Sequence, residues 1–376
     1  MNASLTLLNN LTPSQFLAEY WQKKPLLIRQ AIPSFEGLLT PNELAGLACE
    51  EEVEARIIQN AKDEWQVTDG PFDEDDFTSL PEKDWTLLVQ SVNHHLPEAA
   101  ALLSQFNFIP HARLDDLMVS YAPTGGSVGA HMDSYDVFLL QGSGKRRWKI
   151  SAQSDLSLVE DAPIKVLQHF KAEEEWVLEP GDMLYLPPSI AHHGISESDD
   201  CMTYSIGFRA PKAQELTHAF LDYLQDAVSQ VGMYEDADLS LQEHPAEISE
   251  PMVRKVEKML AKIIWDKNNI SDFLGLYLSE PKPDVIFESQ AGISILDFTK
   301  KLSKQPLLLN LKSQMLSHKE LFFINGERLH VPISLIESMQ TLADYSVLDA
   351  NALSGDQQQV LADTLYASYI AGYVNF

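Results

Sequence analysis

Two histidines and one aspartate have the spacing expected of ligands to a single metal ion. His131 and Asp133 stand two residues apart, and His192 follows about sixty residues later. In an extended strand, residues two apart point to the same face, so the first two side chains project together. Two imidazoles and one carboxylate on one face form the facial triad of non-haem Fe(II) oxygenases, which leaves positions open for other ligands. The three residues therefore predict a catalytic iron site that binds dioxygen.

The third ligand could be either of two neighbouring histidines. His192 and His193 both follow a Pro-Gly-Asp turn, an apolar strand and a Pro-Pro turn. Only one of them can point inward if the backbone is extended there. The spacing leaves this choice open. The remaining histidines of the chain lack such a context, and we interpret them as structural or surface residues.

A buried cation is predicted on the strand that follows the His-x-Asp motif. Arg146 alternates with Trp148 and Ile150, so it shares their core-facing side. A buried arginine is rarely tolerated without a partner, and its planar fork binds a carboxylate with two hydrogen bonds. We expect Arg146 to bind the far carboxylate of a 2-oxoglutarate co-substrate; the alternative is a structural salt bridge to an internal acid. Ser120 shares a face with Met118 and could add a hydroxyl hydrogen bond.

The segment that carries these residues has the pattern of a mainly β domain. Between residues 116 and 209, short β-rich runs alternate with glycine- and proline-containing turns. Many short strands at this spacing favour a cupin-like jelly roll, and the lack of interleaved helices argues against a parallel sheet. The runs predicted as strands are 117–122, 135–140, 145–151, 163–170, 175–179, 183–187 and 201–208.

Helical patterns dominate before and after this segment. Before it, helices are predicted from residue 12 to Lys24-Pro25 and at 41–49 and 84–105, with a short strand at 26–28. After it, apolar stripes at 211–231 and 250–265 predict helices that either form a homodimer interface or pack on the barrel. A further short helix is predicted at 270–278. Beyond a Pro-Lys-Pro linker at 281–283, helices flank a hairpin with an Asn-Gly turn, which suggests a winged helix.

Composition narrows the class of partner and the compartment. The net charge of −28 over 376 residues argues against non-specific nucleic-acid binding and suits a basic protein partner, although a generally acidic cytoplasmic protein would show the same charge. Cys49 and Cys201 are the only cysteines, which favours a reducing, cytoplasmic compartment. The first ten residues do not resemble a signal peptide, and no apolar run is long enough to predict a membrane span.

Several motifs together resemble the JmjC-type ribosomal oxygenases, most closely the bacterial arginine 3-hydroxylases of a ribosomal protein. The resemblance extends over nearly the whole chain, is specific through residues 12–211 and is looser after about residue 235. One difference is the sequence Ser189-Ile190-Ala191 before the last ligand, where the family commonly has glycine, a bulky residue and proline. The motifs are Tyr20-Trp21-Gln-Lys-Lys-Pro25, Gly70-Pro71-Phe72, Gly129-Ala-His131-Met-Asp133-Ser-Tyr-Asp-Val-Phe138, Gly144-Lys-Arg-Arg-Trp148, Glu179-Pro-Gly-Asp-Met-Leu-Tyr-Leu-Pro-Pro188 and Tyr204-Ser-Ile-Gly-Phe-Arg-Ala-Pro211.

The resemblance implies a fold, a chemistry and a target. The expected fold is a double-stranded β-helix of the JmjC type in residues 1–210, with its core at about 95–210, a helical dimerisation domain at 211–280 and a winged-helix domain at 281–376. The implied metal ligands are His131, Asp133 and His192, with Arg146 as the 2-oxoglutarate-binding arginine. The implied reaction uses Fe(II), 2-oxoglutarate and dioxygen to hydroxylate the β-carbon of an arginine in the sixteenth protein of the large ribosomal subunit. Tyr135 and Asp116 are candidates for binding the side chain of that arginine.

Three rival functions remain open at this point. The same oxidation could act on another target, as in a histidyl hydroxylase or a lysyl demethylase. A small-molecule cupin dioxygenase is disfavoured by the acidic N-terminal region and the additional C-terminal segments. A nucleic-acid-binding winged helix with an inactive barrel is disfavoured by the intact triad and by the ten acidic against six basic residues of 284–376.

Overall fold

The computed structural model describes residues 3–61, 64–290 and 292–376 of the chain. These residues form two compact units. Unit 1 comprises Met1–Ala210, Lys282–Glu288 and Asn310–Lys312, and unit 2 comprises Pro211–Pro281, Ser289–Leu309 and Ser313–Phe376. Among the described residues, no helix is both long and apolar enough to cross a membrane.

Unit 1 is built mainly of antiparallel strands, with four short helices in its N-terminal half. The helices are α1 (Pro13–Glu19), α2 (Pro41–Leu47), α3 (Glu74–Thr78) and α4 (Pro97–Ser104). The strands are β1 (Leu26–Ile28), β2 (Ala55–Ala61), β3 (Glu64–Asp69), β4 (Trp85–Val89), β5 (Leu114–Ala122), β6 (His131–Met132), β7 (Val137–Gln141), β8 (Arg146–Ser151), β9 (Glu174–Leu178), β10 (Met183–Leu186), β11 (Ala191–Ser196) and β12 (Cys201–Phe208).

Two sheets pack face to face in unit 1. The larger has the strand order β1-β10-β7-β12-β5-β4-β2-β3, and the smaller has the order β6-β11-β8-β9. Their facing sides share an apolar cluster to which Leu139 and Leu184 contribute from the larger sheet and Trp148 and Ile150 from the smaller. This arrangement is the predicted jelly roll, and the sides that face each other form the interior of the barrel.

The other face of the larger sheet carries the main hydrophobic core. Phe138 and Tyr185 lie on this face and pack on Phe16 of α1, and Phe208 packs on Phe138. Because side chains alternate along a strand, the residues between them, such as Val137 and Leu139, point into the barrel instead. The N-terminal helices therefore cover one side of the sheet and leave the barrel interior for the predicted site.

Three sequence expectations for unit 1 are wrong. Residues 84–105 are not one helix, because Trp85–Val89 is strand β4 and the helix begins only at Pro97. Strands β2 and β3 were not predicted, so the larger sheet extends well before residue 95. The run 163–170 forms only an isolated bridge between Leu158 and Leu167. Trp85–Val89 is apolar except for Thr86, and such a short run has no period that separates a buried strand from a buried helix.

Unit 2 is mainly helical, with two small three-stranded sheets. Its helices are α5 (Ala213–Ala227), α6 (Glu250–Leu260), α7 (Lys267–Ser279), α8 (Ile295–Leu302), α9 (Ile336–Tyr345) and α10 (Gly355–Ile370). Its strands are β13 (Leu307–Leu309), β14 (Met315–His318), β15 (Leu321–Ile324), β16 (Glu327–Leu329), β17 (Val347–Leu348) and β18 (Val374–Asn375). Strands β14, β15 and β16 form one sheet, and β13 lies between β17 and β18 in the other.

The predicted hairpin and flanking helices are present in unit 2. Asn325 and Gly326 connect β15 to β16 with φ angles of 49° and 80°, as a two-residue turn with two left-handed residues requires. Phe298, Phe322 and Leu361 belong to one buried core that joins this hairpin to α8 and α10. Helices α8, α9 and α10 together with the hairpin give the winged-helix pattern that the sequence predicted.

The apolar stripes before the winged helix have two different environments. In α5, Phe220 and Tyr223 pack on Phe273 of α7, with ring centroids 5.2 and 5.9 Å apart. Helix α6 has no buried residue among its members. Its Val256 and Leu260 are 37% and 58% exposed. The stripe of α5 is thus partly covered within unit 2, whereas that of α6 faces outward.

Candidate functional site

The structure brings His131, Asp133 and His192 together. One ligand atom from each residue lies within 4.8 Å of the other two, and this is the only such group of three or more metal-binding side chains in the described part of the chain. Asp133 Oδ2 lies 3.6 Å from His192 Nε2. The two imidazole rings have centroids 4.2 Å apart. Three donor atoms at this separation can bind one ion between them.

Strand pairing positions the three side chains. His131 of β6 is the direct antiparallel partner of His192 of β11, so their side chains project from the same face of the smaller sheet. Asp133 follows β6 at once, and its carbonyl accepts a 2.9 Å hydrogen bond from the Ser189 amide, just before β11. The loop that carries the carboxylate is therefore fixed to the strand that carries the second imidazole.

Backbone carbonyls orient both imidazoles. Nδ1 of His131 lies 3.0 Å from the Gly129 carbonyl, and Nδ1 of His192 lies 3.0 Å from the Ile190 carbonyl. A carbonyl can only accept a hydrogen bond, so each Nδ1 carries a proton, and Nε2 is the ring nitrogen left to bind a metal ion. Such second bonds fix the tautomer and ring orientation of metal-binding histidines.

His193 points away from this cluster. Its Nε2 lies 3.0 Å from the Ser127 hydroxyl, and its ring makes an edge contact with Phe170. Burial and the nearby cations lower the pKa of His193 to about 4. The sequence did not show which face of β11 turns inward. In the structure, the side chain of His192, rather than that of His193, lies beside His131 and Asp133.

The electrostatics of the cluster suit a cation. Burial lowers the pKa of the His192 imidazole well below its usual value, so the ring is neutral, as a metal ligand must be. Burial also raises the pKa of Asp133, although His131 and a hydrogen bond from Tyr135 oppose this rise. A divalent cation would reverse the effect on the carboxylate. Two imidazole nitrogens and one carboxylate therefore fit a non-haem iron centre.

Arg146 lies inside the barrel, as its alternation with Trp148 and Ile150 predicted. It is 3% exposed. Its Nη2 donates a long 3.4 Å hydrogen bond to the Gly194 carbonyl, while Nε and Nη1 have no hydrogen-bond partner among the described residues. The guanidinium lies over Trp148, 5.3 Å from the ring centroid. The unpaired atoms of this buried cation fit a carboxylate ligand rather than the alternative of an internal ion pair.

Gly194 makes room for Arg146, and sequence reasoning missed it. Gly194 follows His192 by two residues on β11 and pairs with Trp148 of β8. A Cβ atom at this position would lie 2.6 Å from Arg146 Nε and 2.7 Å from the Trp148 ring. A glycine inside a strand often marks such a close approach, and its spacing from His192 was the available signal.

The remaining candidates lie on or near strand β5. Ser120 is buried, and its hydroxyl lies 3.5 Å from the Thr203 carbonyl, which is a weak hydrogen bond. Asp116, on the same face, accepts 3.0 Å hydrogen bonds from the amide and hydroxyl of Ser91, and Lys282 Nζ lies 3.5 Å away. Burial, Asp133 and Asp116 raise the pKa of Tyr135. Tyr135 thus lies close to Asp133 and Asp116, and Ser120 shares the inward face of β5 with Asp116.

Comparisons with known proteins agree with this geometry. Residues 101–216 match the family model of the JmjC domain, and residues 262–375 match that of the ROXA-like winged helix. The Escherichia coli ribosomal protein uL16 3-hydroxylase is 37% identical over 273 residues, which are 72% of this chain and 72% of that protein. A probable ribosomal oxygenase of Haemophilus influenzae is 44% identical over 62% of this chain and 56% of its own length.

A solved structure extends the similarity to three dimensions. The ribosomal oxygenase YcfD from Escherichia coli in complex with cobalt and 2-oxoglutarate superposes with a TM-score of 0.82 at 32% identity, covering 96% of this chain and 97% of that one. The similarity therefore includes the barrel, the helical segment and the winged helix. On its fold and its identity to these relatives, the chain belongs to the JmjC-type ribosomal oxygenase family.

Proposed function

We propose that the chain is an Fe(II)- and 2-oxoglutarate-dependent dioxygenase that hydroxylates the β-carbon of one arginine in ribosomal protein uL16. The observation that carries this proposal is that one barrel contains both a cluster of two histidines and one carboxylate and a buried arginine. Two donor atoms of this arginine have no partner among the residues that the structure describes. The name of the Escherichia coli relative, a uL16 3-hydroxylase, supports the target.

The protein's share of the metal site comes from three side chains. His131 and His192 would bind Fe(II) through their unprotonated Nε2 atoms, and Asp133 through its carboxylate. When bound, iron, 2-oxoglutarate and dioxygen supply the oxidation, in which 2-oxoglutarate becomes succinate and carbon dioxide while one oxygen atom enters a C–H bond of the target. The carbonyls of Gly129 and Ile190 keep both imidazoles in the ligating tautomer throughout.

Arg146 and the barrel walls would position the co-substrate. The guanidinium offers two donor atoms that are unpaired within the described part of the chain, beside an apolar wall that includes Trp148 and Leu184. A carboxylate bound there accepts charge-assisted hydrogen bonds and offsets the desolvation of the cation. Ser120 is a further candidate donor for the co-substrate. The apolar wall keeps bulk water away, so the protein supplies position and a dry cavity for chemistry that belongs to the cofactor.

The target side chain would enter past Asp116 and Tyr135. Asp115 and Asp116 already pair with Lys282, so a cationic target side chain would compete with Lys282 for these carboxylates, and Tyr135 lies next to Asp133. The net charge of −28 favours association with a basic ribosomal protein. The same charge supports our expectation that the chain does not bind nucleic acid directly. With both cysteines unpaired, a cytoplasmic location matches a ribosomal target.

We also propose a homodimer formed mainly by helix α6. Apolar side chains dominate a groove along this helix, with one charged residue among them. A second copy presents the same surface, and a two-fold axis would bury both grooves together. The lining residues are Ile248, Met252, Val253, Val256, Glu257, Leu260 and Ala261.

A panel of targets tests the proposed reaction. The purified protein is supplied with Fe(II), 2-oxoglutarate and, in separate reactions, uL16, a uL16 variant with the target arginine changed to lysine, histone-tail peptides and small organic acids. We expect succinate and a mass gain of one oxygen only with unaltered uL16. Turnover of a histidine- or lysine-containing peptide instead would transfer the assignment to a histidyl hydroxylase or a lysyl demethylase. Turnover of a small acid alone would favour a cupin dioxygenase.

A further inference from the structure

Four buried polar atoms have no hydrogen-bond partner in the part of the chain that the structure describes. They are Thr86 Oγ1, Arg146 Nε, Arg146 Nη1 and Trp148 Nε1. Buried polar groups in folded proteins are nearly always paired, so each of these atoms requires an explanation. The Arg146 and Trp148 nitrogens can only donate a hydrogen bond, whereas Thr86 Oγ1 can donate or accept. An acceptor is therefore the one kind of partner that satisfies all four atoms.

Trp148 lies between Arg146 and the metal ligands. Arg146 and Trp148 alternate on the inward face of β8. The guanidinium carbon is 5.3 Å from the Trp148 ring centroid, and the His192 ring centroid is 5.8 Å from that of Trp148. A molecule that reaches from Arg146 to the cluster of His131, Asp133 and His192 must pass along this indole.

Strand register places Thr86 at the same end of the barrel as Arg146. Leu87 pairs with Tyr121 and Leu88 with Ser120, so Thr86 comes next on β4, opposite Ala122. The Ala122 carbonyl accepts a 3.0 Å hydrogen bond from the Ser196 hydroxyl. Ser196 is in turn the direct partner of Arg146 on the smaller sheet. Strands β4, β5, β11 and β8 thus connect Thr86 to Arg146.

Thr86 also points into the barrel. Trp85, Leu87 and Val89 belong to the core on the opposite face of the larger sheet. Alternation turns Thr86 inward, where it is completely buried. A hydroxyl in this place, at the same end of the barrel as a guanidinium that has no carboxylate partner among the described residues, has no evident use for folding.

We propose that Thr86 and Trp148 are additional binding residues for the co-substrate. The Thr86 hydroxyl donates, with Arg146, to the distal carboxylate of 2-oxoglutarate, and the Trp148 indole N–H donates to the same bound molecule. A dianionic oxoacid has many acceptor atoms and no donor, so it complements a cavity whose unpaired atoms all donate. This inference rests on the proposed function, because it names further contacts for the same co-substrate.

Two substitutions at Thr86 separate ligand binding from folding. Thr86→Val removes the hydroxyl and keeps the shape, while Thr86→Ser keeps the hydroxyl. Calorimetric titration of 2-oxoglutarate into the Co(II)-loaded protein should show affinity weakened by roughly threefold to tenfold in Thr86→Val and nearly unchanged in Thr86→Ser. Without ligand, Thr86→Val should unfold at a higher temperature than the wild type, because an unpaired buried hydroxyl has been removed.

The combination of weaker binding and higher stability identifies a ligand contact. Unchanged affinity in Thr86→Val, with Arg146→Ala strongly impaired, would overturn the role of Thr86 and leave the proposed function intact. A wild-type protein that binds no 2-oxoglutarate would overturn both.

The indole proton of Trp148 gives an independent readout. The chain has six tryptophans, and Trp148→Phe identifies the Trp148 side-chain resonance by its disappearance from a ¹H–¹⁵N spectrum. Adding 2-oxoglutarate to the Zn(II)-loaded protein should move this resonance downfield, as a new hydrogen bond to an anion requires. Thr86→Ser should show the same shift. A resonance that stays in place while calorimetry records binding would overturn the role of Trp148.

Discussion

The interior of the barrel and helix α6 are both unusual for a folded protein, the first in its buried polar atoms and the second in its exposed apolar side chains. The barrel buries polar atoms of Arg146, Trp148 and Thr86 that have no hydrogen-bond partner among the described residues, whereas α6 exposes apolar side chains such as Val256 and Leu260. Buried polar groups are normally paired, and extended apolar surfaces are normally covered. Each region therefore indicates something that binds it. The first matches a small anion beside a metal ion, and the second matches another protein surface.

The two regions also differ in how sharply they specify what binds. Inside the barrel, donor atoms, charge and strand register restrict the ligand to an acceptor-rich anion near three metal-binding atoms. The groove of α6 contains one charged side chain, Glu257, and otherwise apolar ones. The hydrophobic effect is non-directional, so this groove predicts that another protein surface binds there but does not fix the orientation in which it binds. Substitutions in the barrel should accordingly have larger and more selective effects than substitutions on α6.

The largest effect is expected from the metal ligands. His131→Ala, Asp133→Ala or His192→Ala removes a donor that no neighbouring side chain can replace, so succinate formation should fall to background while the circular dichroism spectrum is retained. His193→Ala is the matched control and should remain active, because its imidazole binds Ser127 outside the cluster. Near-normal turnover in Asp133→Ala would contradict the iron site.

Arg146→Ala should have the next largest effect, mainly on the Michaelis constant for 2-oxoglutarate. Deleting one partner of a buried, charged hydrogen-bonded pair costs on the order of 2–5 kcal/mol, which is roughly thirtyfold or more in affinity. Arg146→Lys should recover only part of this loss, since an ammonium group cannot reproduce the two parallel hydrogen bonds that a planar guanidinium makes to a carboxylate. Arg147→Ala is the control, because Arg147 pairs with the exposed Glu175 and Glu197. An unchanged Michaelis constant for 2-oxoglutarate in Arg146→Ala would show that Arg146 has a structural role and does not bind the co-substrate.

Gly194→Ala should weaken 2-oxoglutarate binding by about tenfold. The added methyl group would lie 2.6 Å from Arg146 Nε, so the guanidinium must move. Metal binding should persist, since no ligand atom is changed. Gly207→Ala is the matched control, because a Cβ there has no atom closer than 3.6 Å. Equal 2-oxoglutarate constants in Gly194→Ala and the wild type would show that this close approach has no role in co-substrate binding.

The smallest effect on catalysis is expected from helix α6. Val256→Glu places a charge in the apolar groove and should convert a dimer to a monomer in light scattering at micromolar concentration. Succinate formation should change by about twofold or less, as for a surface substitution. Lys258→Glu, on the same exposed helix, should leave the dimer intact. A wild-type monomer under these conditions would contradict the homodimer.

Strand alternation made much of the barrel site predictable. The His-x-Asp spacing and the alternation of Arg146 with Trp148 follow from a period of two, and the structure places these side chains inside the barrel as expected. The choice of His192 over His193 depends on which face of β11 turns inward, and that depends on pairing with β6 and β8. Sequence spacing alone contains no information about this register.

Thr86 could not be found from the sequence for a related reason. All other residues of its strand are apolar, and we assigned that run to a helix, which left the pairing of β4 with β5 unknown. Gly194 acts through a close approach between two strands that are distant in sequence. The exposed stripe of α6 was visible as a pattern, but only the structure separates it from the similar stripe of α5, which packs on α7.

Mass spectrometry of uL16 from ribosomes tests the central claim most directly. Ribosomes are isolated from cells that contain the chain, from cells that lack it and from cells that carry Asp133→Ala. The account predicts a mass gain of one oxygen atom on the β-carbon of a single uL16 arginine, present with the wild-type chain and absent from the other two. Identical uL16 masses in all three samples would contradict it.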